Sequence, residues 1–223
     1  MAGAHTVSAA RDEILARIRV ALRDVPPEEG TTSAPIPRDY RLTDDAPAAE
    51  LVEQFAERVR DYHASVMIVP SADIGAAVLD ACTRRGLTRL VVPPALPGPW
   101  RPAGLTVVED HQLPAHELDA IDGAITGCAT AIAQTGTIIL DGRGASGRRA
   151  ITLVPDHHIC VVAEDQIVGI VPEGIARVAG AATERRLPIT LISGPSATSD
   201  IELERVEGVH GPRHLVVVIA LEG

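Results

Sequence analysis

The chain has 223 residues, a formal net charge of −10, and a composition that is 46% apolar yet only 2% aromatic. That length allows one domain with a substantial core, and Val, Ile, Leu and Ala have to fill it, which suits helices stacked on a β-branched sheet. All 20 basic residues are arginine; no basic run exceeds two residues, which excludes the basic patch of a bulk nucleic-acid binder.

Residues 8–24 predict an amphipathic helix, with Ser8 as its cap, Asp12 and Glu13 near its positive end, and Ile14, Leu15, Ile18 and Leu22 on one stripe. The N-terminus reaches Arg11-Asp12-Glu13 without an apolar core, unlike a secretory signal. Residues 25–47 are rich in proline and small polar residues and read as an extended linker, so residues 1–24 form a helical arm on a tether. Whether the arm packs on its own domain or on a neighbouring chain stays open, and so does self-association.

From residue 48 to 223 the pattern is that of an α/β domain. Ala48–Asp61 has helical spacing, Val66–Pro70 reads as a short buried strand, and Ser71 caps a helix through Arg85 that Gly86 closes. Leu90–Val92 and Thr106–Val108 are further strands, and this rhythm argues for a right-handed parallel crossover sheet flanked by helices. Gly123–Thr126, Thr137–Asp141 and Ile159–Ala163 also read as strands, spaced for an antiparallel addition to the mainly parallel sheet. Pro172–Arg186 is then a helix, Ile189–Ser193 a buried strand, and Leu215–Leu221 a final buried strand too short to cross a bilayer.

Several motifs bear on chemistry. Gly142, Gly144 and Gly147 match G-x-G-x-x-G after a predicted strand, but only seven residues separate Gly147 from Pro155. That is too short for the crossover helix of a dinucleotide site, so the stretch reads as a glycine-rich hairpin connection. Arg148 and Arg149 at its end offer a clamp for a carboxylate or phosphate, or a solvated pair. A phosphate-cradling P-loop needs a lysine, and the chain has none. His157 and His158 point to opposite faces if they start a strand, and His210 and His214 straddle Gly211-Pro212, so neither spacing makes a metal site. Cys82, Cys128 and Cys160 are far apart and form no C-x-x-C pair; they read as small buried thiols in a reducing cytosol, with no cofactor in this chain.

Two stretches invite a ligand. Gly127–Thr137 joins two strands through small residues, and Thr130, Gln134, Thr135, Gly136 and Thr137 offer hydroxyls, an amide and close backbone approach. In ISGPSATSDIELERVEGVHGP (192–212), Gly194 and Pro195 end a strand, and Ser196, Thr198 and Ser199 follow at its edge. Asp200 and Glu202 can orient those groups or act on protons, and His210 and Gly211 form a second turn. Both stretches read equally well as plain chain reversals whose hydroxyls satisfy the backbone.

The sequences TGCATAIAQTGTIIL, GRRAITLVPDHHICVVAEDQIV and ISGPSATSDIELERVEGVHGPRHLVVVI, with the EILARIRVAL arm, resemble the lactate-utilisation protein C family, which consists of an LUD domain. The resemblance covers nearly the whole chain. It implies a fold akin to the sugar-isomerase and CoA-transferase superfamily, and a non-redox, cytoplasmic component of the system that oxidises L-lactate to pyruvate. It further implies partner subunits that carry iron–sulfur clusters. Many relatives read Glu-Thr-Gly-Thr where this chain has Gln134-Thr135-Gly136-Thr137. A glutamine cannot form the acyl anhydride of a CoA transferase. The leading expectation is a small anionic ligand held by the Gln134–Thr137 turn, the Gly194–Thr198 loop and the His210 turn, with Arg148 or Arg149 adding charge. The alternative is a stand-alone isomerase or transferase-like enzyme on a phosphorylated sugar or acyl substrate; whether the chain is catalytic stays open.

Overall fold

The computed structural model describes residues 4–25, 36–183, 187–195 and 211–222. The chain divides into two units, Met1–Tyr40 and Arg41–Gly223. In the first, helix α1 spans Ala4–Ala21, so Ser8 lies inside the helix rather than capping it. Its stripe of Ile14, Ile18 and Leu22 is exposed.

The second unit opens with α2 (Ala48–Asp61), which buries Val52, Phe55, Ala56 and Val59 on one face. Strand β1 (Ser65–Pro70) follows. Ser71–Asp73 then make a 3-10 turn before α3 (Ile74–Arg84), and no side chain caps that helix. Gly86 takes φ of +67° just past its end, as expected of a closing glycine. Next come β2 (Arg89–Val92), β3 (Thr106–Glu109), the short α4 (Ala115–Asp119) and β4 (Gly123–Thr126). Strands β5 (Thr130–Ile132) and β6 (Thr137–Leu140) are followed by β7 (His157–Ala163) and β8 (Ile167–Val168). Helix α5 (Val171–Thr183), β9 (Thr190–Ile192) and β10 (His214–Leu221) complete the order.

Six strands form one sheet in the order β1-β10-β7-β4-β2-β3, and every pair in it is parallel. Its central strands are buried on both sides, which is why they read as unbroken apolar runs. Along β10, Leu215, Val217 and Ile219 join Phe55 and Val59 of α2, while Val216, Val218 and Ala220 join Val78 and Cys82 of α3. Each fully buried Val or Ile contributes roughly 1.5–3 kcal/mol, so this period-two split gives each face its own core.

The antiparallel addition is a separate four-stranded sheet, β8-β5-β6-β9, in which β6 pairs antiparallel with both β5 and β9. Its membership differs from the expectation. Gly123–Thr126 and the strand beginning at His157 are parallel neighbours in the large sheet, Gly123 opposite His157. Of these three only the Thr137 strand belongs to the small sheet, between β5 and β9, and that sheet also contains β5 and β8, which read as connections in the sequence. Strand β9 is an edge strand with Leu191 53% exposed, not the buried strand expected; its middle residue is turned outward. Ala131, Ala133, Ile138 and Leu140 share the α2 cluster, and Ile132, Ile139 and Val168 pack with Val178 of α5 on the other side. A Cβ on Gly174 would lie 2.7 Å from Ile132 Cγ1, so α5 packs against the small sheet through a bare backbone.

Candidate functional site

The turn between β5 and β6 is built on glycine. Gly136 takes φ of +60°, and a Cβ there would lie 2.8 Å from Arg58 Cβ and 2.9 Å from the Arg58 carbonyl carbon. Only a residue without a side chain fits both the backbone angle and the contact with α2. The Gln134 amide donates to the Gly169 carbonyl at 3.0 Å, which ties the turn to the segment after β8, and the Gln134 side chain is exposed. The Thr137 hydroxyl lies 2.7 Å from the Thr135 hydroxyl and 2.8 Å from that of Ser193, just past β9. Gly194 takes φ of +89°, and a Cβ there would lie 2.6 Å from Tyr62 Cβ, so both the backbone angle and the contact require glycine. A Cβ on Gly211 would lie 3.9 Å from the Pro195 carbonyl oxygen, so the segment leaving β9 adjoins the segment entering β10.

Thr135, Gly136, Thr137, Gly194, Pro195 and Gly211 are thus gathered along one end of the small sheet, joined by a chain of three hydroxyls. Each hydroxyl has one donor and two acceptor positions, so a three-member chain keeps spare capacity for a polar group. Ser196, Thr198, Ser199, Asp200, Glu202 and His210 lie outside the described residues.

The other candidates go elsewhere. Thr130 is buried, and its hydroxyl donates to the Gln166 carbonyl at 2.8 Å. Arg148 grips Asp110 with Nε at 2.5 Å and Nη2 at 2.8 Å, and it also donates to the Leu113 carbonyl. Burial opposes the charge on Asp110, but Arg148 and the backbone amides of Leu113 and Gln112 outweigh it and hold the carboxyl below the ordinary aspartate range. Arg148 is therefore an internal brace. It stands where β3 finishes, whereas Tyr62 and Gly211 stand where β1 and β10 begin, at the opposite end of the large sheet. Arg149 is exposed in a 3-10 turn, Arg149–Thr152.

The glycine-rich stretch opens no crossover helix, which agrees with rejecting a dinucleotide loop, but it is not a hairpin connection either. It joins β6 of the small sheet to β7 of the large one, and those strands do not pair. Gly142, Gly144 and Gly147 have φ of +73°, +49° and +64°, around a 3-10 turn at Gly144–Ser146.

His157 and His158 do face opposite sides. His158 is buried with Nε2 2.8 Å from the Thr126 hydroxyl, and burial pushes its pKa down to about 4. His157 stacks on His214 with ring centroids 4.6 Å apart. Among the described residues no group of three or more His, Cys, Asp or Glu is arranged to hold a metal ion. The three cysteines are free and buried. Burial pushes the Cys82 thiol up to about 11. The neighbouring Cys160 and burial together raise Cys128 well above an ordinary thiol.

One feature escaped the sequence reading. Cys128, Ala129, Asp141, Arg143 and Gly144–Ser146 line a cavity of about 360 Å³ where β4 finishes. The glycine spacing pointed at this loop, but strand order, which decides what the loop covers, is not written in any local pattern.

A six-stranded parallel sheet covered by helices, with a small mixed sheet packed through α2, defines an open α/β protein whose glycine-built turns present polar groups at both ends of the sheet. The chain belongs to the LUD domain family, whose sequence profile matches residues 52–220. It is 51% identical over 172 residues to lactate utilization protein C of Deinococcus radiodurans, spanning 77% of this chain and 80% of that one. Lactate utilization protein C of Geobacillus thermodenitrificans is 24% identical over 192 residues, 78% of this chain and 79% of its own. The crystal structure of a DUF162 family protein from Deinococcus radiodurans superimposes with a TM-score of 0.69 at 42% identity, covering 78% of this chain and 99% of that one. The expected fold class is the observed one.

Proposed function

We propose that the chain is a cytoplasmic, non-redox component of an L-lactate oxidation system and binds a small anionic ligand. The observation that carries this reading is the 51% identity, over 77% of the chain, to a protein named lactate utilization protein C. Its thiols support the non-redox part: all three are buried, and neither Cys82 nor Cys128 ionises easily. Electron transfer then falls to partner subunits carrying iron–sulfur clusters. No described helix is long and apolar enough to cross a membrane.

The ligand site of this reading is the Thr135–Thr137–Ser193 hydroxyl chain together with Gly194, Ser196, Thr198 and His210. Gln134 at its rim offers an amide and no nucleophile, which favours binding over acyl transfer. Deleting the gene in a strain without a paralogue should abolish growth on L-lactate, and unaltered growth would refute the role. Ser196→Ala and His210→Ala proteins titrated with lactate, pyruvate and sugar phosphates should bind more weakly; wild-type affinities refute the site. Turnover of any of these by the purified chain alone would favour a stand-alone enzyme.

A further inference from the structure

Helix α1 carries apolar surface that its own chain leaves open. Ile14, Ile18 and Leu22 are 58%, 47% and 55% exposed, and Val25, on the turn that follows the helix, is 42% exposed. Steps of three and four residues put these side chains on one face. A helix of 18 residues is marginal by itself in water, so it relies on packing of that face. The arm is also a unit of its own, Met1–Tyr40, and the LUD family profile begins only at residue 52. The stripe is therefore no part of the domain core.

The residues around the stripe say what fits it. Arg11 lies on the apolar face, seven residues before Ile18. In a parallel, in-register pair of copies, Arg11 would meet Arg11 of the other copy in the seam, where like charges repel. An antiparallel pair centred on Ala16 avoids this. Ile14 then faces Ile18 of the second copy, Ile18 faces Ile14, and Arg11 faces the small Ala21. There the Arg11 stem lies along apolar surface while its guanidinium reaches water. In this orientation the same flank of each helix meets itself, so Asp12 comes beside Arg19 of the second copy and the reverse, two opposite-charge pairs related by the two-fold. On the other flank Arg17 is already paired with Glu13, one turn before it, so the two copies of Arg17 near the centre are each compensated.

We propose that α1 is a self-association surface: two copies of this chain pair through an antiparallel seam of Ile14, Ile18 and Leu22, with reciprocal Asp12–Arg19 pairs fixing the register. The chain's net charge of −10 opposes close approach of two copies. Residues 4–25, with four arginines and three carboxylates, are close to neutral, so the arm is where two acidic chains can meet without that repulsion. The pairing stands whether or not the ligand site and the lactate role hold.

Sedimentation equilibrium of the full chain over micromolar concentrations should show monomer and dimer in exchange. Ile18→Asp, which puts a charge into the seam, should weaken dimerisation by about tenfold or more, while the thermal midpoint of the domain stays at its wild-type value. Asp12→Arg and Arg19→Asp should each weaken it several-fold, because like charges then face each other. The double variant Asp12→Arg/Arg19→Asp should recover wild-type association. Residues seven apart lie about 10 Å from each other along one helix, so that recovery can come only from the second copy. A chain that stays monomeric throughout, which would leave the stripe to a different protein, overturns the proposal. So does a dimer that Ile18→Asp leaves intact, or a double variant no better than the single ones.

Discussion

The two ends of the parallel sheet are held by different chemistry. Where the strands finish, ion pairs brace the loops: Asp110 with Arg148, Asp141 with Arg143, Glu109 with Arg101. Where they start, β7 opens with His157 and His158, and His157 stacks on His214 at the head of β10. A histidine that must stay neutral and a carboxylate that must stay charged both dislike acid, but in different pH windows. Acid titration should therefore take the two ends apart in sequence, the histidine end first.

The largest effect belongs to His158. Its pKa in the folded chain is about 4 against an ordinary 6.5, so the unfolded chain takes up its proton first as the pH falls. Stability should drop by about 3 kcal/mol between pH 6.5 and 4 from this one group. His157, lowered by burial and by His214, adds in the same direction. Urea unfolding at steps from pH 7.5 to 4 measures the slope. His158→Gln can keep a hydrogen bond to Thr126 and should flatten it; an unchanged slope would mean that the acid sensitivity resides elsewhere.

At the other end, Arg148→Met leaves the Asp110 carboxylate, its side chain 4% exposed, without its charged partner. A cost of about 2–3 kcal/mol at pH 7 is expected. The folded pKa of Asp110 is depressed, so its stabilisation is present above the ordinary aspartate value and is lost as the pH falls through the lower, folded one. The variant should therefore lose most at neutral pH and converge on wild type in strong acid. A deficit that persists undiminished below pH 3 would assign Arg148 a packing role instead.

The large sheet was legible where a strand carries an unbroken apolar run between turn signals, as in Val66–Pro70 and Leu215–Leu221, but Gly123–Thr126 and the strand at His157 read as parts of the antiparallel addition and belong to the large sheet instead. The small sheet was not legible. Strands β5 and β8 have three and two residues, too short for a period to show, and β6 pairs with β9 across more than forty residues, a register set by packing on α2 and α5. The same limit applied to the sites. Thr135, Thr137 and Gly194 were readable as a hydroxyl-rich, glycine-built pair of loops. Asp110 as the partner of Arg148 was not, since 38 residues separate them and nothing in either neighbourhood names the other. The crevice over β4 depends on strand order alone.

A third effect falls on the small sheet. Gly136→Ala places a Cβ at φ of +60° within 2.8 Å of Arg58 Cβ. The backbone angle alone costs about 1–2 kcal/mol, and the contact with α2 adds to it. If the turn is rigidly docked, the thermal midpoint should fall and growth on L-lactate should fall with it. A midpoint within error of wild type would mean that the turn can swing away from α2.

The smallest effect is the one that decides whether the hydroxyl chain is architecture or equipment. Thr137→Val keeps the shape of the side chain and removes the hydroxyl that links Thr135 and Ser193, at 2.7 and 2.8 Å. As plain structure that hydroxyl contributes about 1 kcal/mol, and urea unfolding should show a loss of that size with ligand affinity untouched. If the chain of hydroxyls serves a bound anion, stability should change little more than this while affinity for that anion falls about tenfold, because a hydrogen bond to a charged group is worth roughly twice a neutral one.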